Sequence, residues 1–186
     1  MTSKKILAAT LLLCVGACAA STKYRDPNMD FGSIQKVAVL PFANLTKEER
    51  AADRVRDVFM NMLLATGGVY LIPPGEVARG ISRVSPADRT APSEEEVKKL
   101  GSVLGVDSVV TGVVREYGEV RSGSASANLV SLSLQMSEVK TGKVVWAASS
   151  TKGGITTMDR LFGGGGKPMN DVTEEAVVDL INKLYR

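Results

Sequence analysis

The chain has 186 residues, 44% of them hydrophobic and 23% charged, which suits one ordinary globular domain with a buried core. Its net charge of +3 becomes +1 (21 basic against 20 acidic residues) once Lys4 and Lys5 are set aside with a leader. That balance and 5% aromatics argue against a nucleic-acid binder, while the absence of histidine excludes Ser-His-Asp and Cys-His nucleophiles and any His-ligated metal.

Both cysteines, Cys14 and Cys18, lie at the front, so no disulfide framework is expected. Met1 to Lys5 is a short basic head, and Ile6 to Val15 is an apolar run too short to span a bilayer. The run closes on Val15-Gly16-Ala17-Cys18. Small residues before a cysteine resemble the bacterial lipobox, in which the cysteine is acylated and becomes the new N-terminus. Cys14 follows Leu11-Leu12-Leu13 and lacks those small residues, so Cys18 is the expected lipidation residue and 1–17 the signal. A plain signal peptide with a chance cysteine is the alternative. Residues 18–32 read as a lipidated tether, polar, aperiodic and carrying Pro27. Ala19, rather than Asp, fits outer-membrane sorting by analogy with enterobacterial lipoproteins, with the anchored body facing the periplasm. Acyl chains there anchor at about 0.8 kcal/mol per buried methylene.

Residues 33–186 read as a single domain. Val37-Ala38-Val39-Leu40 is a buried strand ended by Pro41. Thr46-Lys47-Glu48-Glu49 reads as a capping box opening a helix, with Ala52, Val55, Phe59 and Met62 on its apolar face and Thr66-Gly67-Gly68 as its stop. Val69 to Ile72 is a short strand before Pro73-Pro74-Gly75, and Glu76 to Arg83 a short helix. Ser93-Glu94-Glu95-Glu96 caps the next helix. Consecutive carboxylates on a helix do not converge, so these three read as a solvated start rather than a metal or catalytic cluster. Gly105 closes that helix.

Val106 to Val114 is a β-branched run without alternation, which predicts a strand covered on both faces. Ala127 to Val139 alternates, with Val130, Leu132, Leu134 and Met136 against Ser131, Ser133, Gln135 and Ser137. Thr141-Gly142 turns it into Lys143 to Ala148. The order of elements implies crossovers for the early strands and an antiparallel meander for the late ones. The expected fold is α/β (α+β), a mixed sheet with early parallel strands and helices packed on it. Gly163 to Gly166 before Lys167 tempts a phosphate-loop reading, but Leu161 stands where the first glycine belongs and Pro168 where Ser or Thr belongs. A closing helix starts near Asp171, with Glu174 at capping-box spacing.

"VAVLPFANL", "VTGVV", "EYGEVRSG" and "LVSLSLQMSEVKTGKVVWAASS" together resemble the CsgG/PelC group of bacterial envelope lipoproteins over Lys36 to Leu184, closest in layout to its PelC branch. The resemblance implies a fold similar to the CsgG/TolB-N-terminal-like domain. Channel-forming members insert two long hairpins, and a crossing strand needs about nine to eleven residues. Here the first corresponding loop is Glu119 to Ser126 and the second, Thr151 to Met169, is glycine-rich, so the body is expected to be tethered rather than inserted. In the PelC branch the second loop carries an aromatic residue thought to touch the membrane. Ile155 stands nearest that position, with Phe162 as a substitute and Leu161 beside it; Leu161 and Phe162 folding back onto the sheet is the alternative.

The resemblance implies a non-enzymatic accessory subunit of an export apparatus, foremost for exopolysaccharide. Lipid-anchored copies would form a homo-oligomeric ring beside an outer-membrane channel or export partner. Glu116, Glu119 and Arg121 are candidate polymer-facing residues, against ordinary solvation of a strand end. A second reading is an LpoB-like regulator of peptidoglycan synthesis, which needs a long leash. A third, a glycoside hydrolase using Glu116 and Glu119, needs a cleft that nothing in the sequence places. No cofactor and no metal are called for.

Overall fold

The computed structural model describes residues 23–155 and 166–185. Strands β1 (Lys23–Arg25), β2 (Lys36–Val39), β3 (Ala43–Asn44), β4 (Tyr70–Leu71), β5 (Ser108–Ser122), β6 (Ala125–Glu138) and β7 (Val144–Gly153) form one sheet. The order is β1-β7-β6-β5-β2-β4, with β3 also on β5. Helices are α1 (Ala51–Ala65), α2 (Pro74–Val84), α3 (Glu94–Leu104) and α4 (Met169–Tyr185). β2 pairs parallel with β4 and β5, and β5, β6 and β7 are antiparallel neighbours, which is the mixed sheet expected.

β5 is central and lacks alternation because both its faces are covered. Val110 and Val114 join Val37, Val39, Leu132, Leu134 and Trp146 in the core beneath α1 and α4. Val109 joins Ala38, Leu40, Val97 and Leu100 in a second core beneath α2 and α3. That second helical layer covers only the β4-β2-β5 half of its face. On the other half, β6 and β7 turn Gln135 outwards, with Ser133, Ala147 and Ser149 half-buried. This is the wet face of the alternating strand. Two of its hydroxyls are nonetheless buried, Ser131 and Ser137; Ser131 bonds Thr151 across to β7 (2.9 Å).

The Ser93–Glu96 capping box is present, and Gly105 ends α3 in the left-handed conformation at φ 65°. The Thr46 box is absent. α1 starts at Ala51, and Thr46 Oγ1 instead donates to Asn44 Oδ1 (2.8 Å) while Asn44 Nδ2 donates to the Glu48 carbonyl (2.8 Å). Asn44, at a strand end, draws those groups into a local turn that competes with the helix. α4 likewise starts at Met169, and Glu174 accepts from the Asn170 amide (2.7 Å) rather than capping Asp171.

Two larger differences bear on function. The tether expected over 18–32 is ordered from Lys23: β1 pairs antiparallel with β7, Lys23 against Ala148 and Arg25 against Trp146. Arg25 donates to the Leu184 carbonyl and stacks on Phe31, 3.7 Å from its ring centre, and Asp30 caps a 3-10 turn at Phe31–Ser33. Three strand residues are too few for periodicity to reveal. The loop expected at Glu119–Ser126 is mostly strand. β5 and β6 pair as far as Ser122 with Ala125, closing on Gly123 at φ 62°. Small and polar residues on both faces hid the alternation. Beyond the bulge at Arg115 each arm has seven residues (116–122 and 125–131), still short of a bilayer crossing.

Gly153 ends β7 at φ 83°, and a Cβ there would fall 2.0 Å from the Asn128 carbonyl oxygen. Gly154 has φ 88° but open space, its nearest atom being Leu129 Cδ1 at 3.6 Å. Gly153→Ala is therefore expected to cost at least about 2 kcal/mol and Gly154→Ala about 1 kcal/mol, measured by urea unfolding. Equal costs would mean that the backbone contact contributes nothing.

Candidate functional site

Cys18, the expected lipobox residues Val15, Gly16 and Ala17, and Leu161 and Phe162 lie outside the described residues. The described residues still define the end of the sheet at which the described chain begins. β1 is antiparallel to β7, so its Lys23 end points along β7 towards Gly153. Gly153 pairs with Leu129, on the hairpin arm that leads to the Gly123 turn. Ile155, half-buried, follows directly. The start of β1, the hairpin tip and Ile155 thus lie towards one end of the sheet.

The three residues expected to face a polymer do not act together. Arg121 donates to Glu119 Oε2 through Nε (3.0 Å) and Nη2 (2.7 Å). Hydrogen bonds from Ser126 and Arg121 hold the Glu119 carboxyl below the usual carboxylate range. Glu116 pairs with Ser131 and Glu119 with Asn128, and an odd offset in strand register puts the two carboxylates on opposite faces. They form no carboxylate pair of the kind glycoside hydrolysis needs. Among the described residues, no group of three or more acidic or thiol side chains is placed to hold a metal ion.

Sequence reasoning missed two surfaces. On the open sheet face, Lys23, Tyr24, Arg115, Ser133, Gln135 and Ala147 line a hollow of about 320 Å³. Arg115 Nη2 donates to Ser133 Oγ (3.1 Å), and Tyr24 is 50% exposed. The available signal was the junction of the apolar "VTGVV" with Arg115, where the bulge turns the arginine outwards. On the opposite side, α4 presents Asp171, Glu174, Glu175, Val178 and Asp179 around a shallow groove shared with Met62 and Lys152.

Asp179 also anchors α4 to the sheet. Lys183 Nζ reaches its carboxylate (2.7 Å) and the Ser149 carbonyl (2.8 Å), and Lys152 approaches from β7 at 3.9 Å. Partial burial opposes the charge, but the hydrogen bond from Lys183 and the nearby ammonium groups outweigh it and hold the Asp179 carboxyl below its ordinary value. A depressed carboxylate contributes stability that is present above its unfolded pKa and is lost as pH falls through the folded one. Wild type is expected to lose melting temperature between pH 5 and about pH 3 more steeply than Asp179→Asn. Parallel pH profiles would show that this network contributes nothing.

The model of the GNA1162-like lipoprotein family matches residues 31–178. The chain belongs to the GNA1162-like lipoprotein family. Lipoprotein GNA1162 from Neisseria meningitidis is similar at 18% identity and a TM-score of 0.58, over 81% of this chain and 98% of that one. The PelC dodecamer from Paraburkholderia phytofirmans is similar at 17% identity and 0.58, over 87% and 95%. The C-terminal domain of LpoB from Salmonella enterica reaches 14% and 0.51, over 68% and 86%. By sequence, no curated protein matches. At these identities the likeness is one of fold, and it agrees with the resemblance carried by "VAVLPFANL" and the Trp146 strand. Within this GNA1162-like body, no described helix is long and apolar enough to cross a membrane.

Proposed function

We propose that this GNA1162-like lipoprotein is a periplasm-facing accessory subunit of an export apparatus, anchored in the outer membrane through acylated Cys18. Its identical copies would form a closed ring beside an outer-membrane channel that exports an exopolysaccharide. The observation carrying this reading is the distance from anchor to body. Only residues 19–22 separate Cys18 from β1, a reach of about 14 Å at full extension. β1 is fixed to β7, so the body is held close to the bilayer. A regulator reaching across the periplasm, the LpoB-like alternative, would need a longer leash than residues 19–22 offer.

A short link sets the orientation. The sheet end carrying the start of β1, the hairpin tip and Ile155 faces the membrane, with Ile155, Leu161 and Phe162 as its contact residues. The shared fold with PelC, a dodecamer in Paraburkholderia phytofirmans, supports assembly into a ring. Because Glu119 and Arg121 neutralise one another, the wall offered to a polymer is polar rather than acidic, and Glu116 acts separately from them.

Deletion of the gene tests the choice between readings. Loss of surface polysaccharide with unchanged peptidoglycan cross-linking is expected. The reverse result would transfer the assignment to a cell-wall regulator.

A further inference from the structure

We infer that neighbouring copies join head to tail, the exposed face of α4 in one copy seating on the open sheet face of the next. This deepens the ring reading above and rests on it. The two surfaces lie on opposite sides of the same sheet: α4 covers the side carrying Leu132, Leu134 and Ala148, and the hollow at Arg115 opens on the side carrying Ser133 and Ala147. A contact between two unlike surfaces is heterologous, the kind that closes into rings when the rotation between copies permits.

Charge favours this pairing. Arg115 is the charged side chain that the hollow turns outwards, bonded to Ser133, and no carboxylate lines it; Lys23, paired with Ala148, borders it from the other face of β1. The groove on α4 is lined by four carboxylates, Asp171, Glu174, Glu175 and Asp179, against one ammonium, Lys152. Lys167 pairs with Glu175, and Lys152 and Lys183 pair with Asp179, so Asp171 and Glu174 at the start of the helix are the carboxylates left for a neighbour. Each surface also has an apolar centre inside its charged rim. Val178, 41% exposed, stands beside Met62 on one, and Tyr24 beside the small Ala147 on the other. Small floor residues let a helix approach closely, and a buried aromatic with an arginine is a common anchor of protein contacts.

The test is charge reversal with rescue, read as the assembly mass of the full-length, detergent-extracted lipoprotein. Arg115→Glu alone, and Asp171→Lys with Glu174→Lys alone, are each expected to weaken assembly at least tenfold. Combining them is expected to restore it. Melting temperatures within a few degrees of wild type confirm that the variants fold, since all three side chains are at the surface. Assembly unaffected by either reversal, or two disruptive reversals that fail to rescue each other, would overturn the pairing while leaving the ring in place. A wild-type chain that stays monomeric would overturn the ring together with its contact.

Discussion

Trp146→Ala is expected to cost about 3–5 kcal/mol, the largest loss from truncating any single side chain among the described residues. Trp146 is 1% exposed and heads the largest fully buried side chains. It lies opposite Met136 on β6 and beside Arg25 on β1, and its indole Nε1 donates to the Lys183 carbonyl near the end of α4 (3.2 Å). Its removal opens a cavity where β7, β1 and α4 meet, and leaves that carbonyl without its donor. Trp146→Phe keeps most of the packing and should cost about half as much. Urea unfolding of the three chains measures both. A loss below about 1 kcal/mol for alanine would mean that this junction does not hold the domain together.

The second large effect is on location rather than stability. Cys18→Ser is expected to release nearly all of the protein from the membrane into the soluble periplasmic fraction, with its melting temperature unchanged. A single myristoyl-length chain binds membranes only marginally, whereas several together anchor stably. Removing all of them at one thiol should therefore act as a switch. Cys14→Ser should leave fractionation as it is. A Cys18→Ser protein still in the membrane would show that another part of the chain carries the attachment.

Where burial left a pattern of residue types, the fold was legible. β5 between two helical layers reads as an unbroken apolar run, β6 as an alternation, and the start of α3 as a capping box because Ser93 and Glu96 are local to each other. Elements fixed by distant partners left no such pattern. Lys23–Arg25 becomes a strand only because β7 offers an edge, with Arg25 reaching a helix end 159 residues away. The distal hairpin mixes small, charged and polar residues on both faces and so passes for a loop, and that hid the separation of Glu116 from Glu119. A bulge at Arg115 shifts the strand by one residue, and in a two-residue period one residue decides which face a side chain occupies. Residue types near that end of the domain could be read in chain order, but not how the fold arranges them. Lys23, Tyr24 and Arg115 come together only through the sheet.

As proposed, a four-residue link holds the body at the bilayer and identical copies assemble there. Native mass spectrometry of the protein extracted from membranes in mild detergent reads both properties at once. The expected result is one closed multimer of chains that each begin at Cys18 and carry acyl groups. A monomer, or a multimer of chains with an unmodified Cys18, would contradict it.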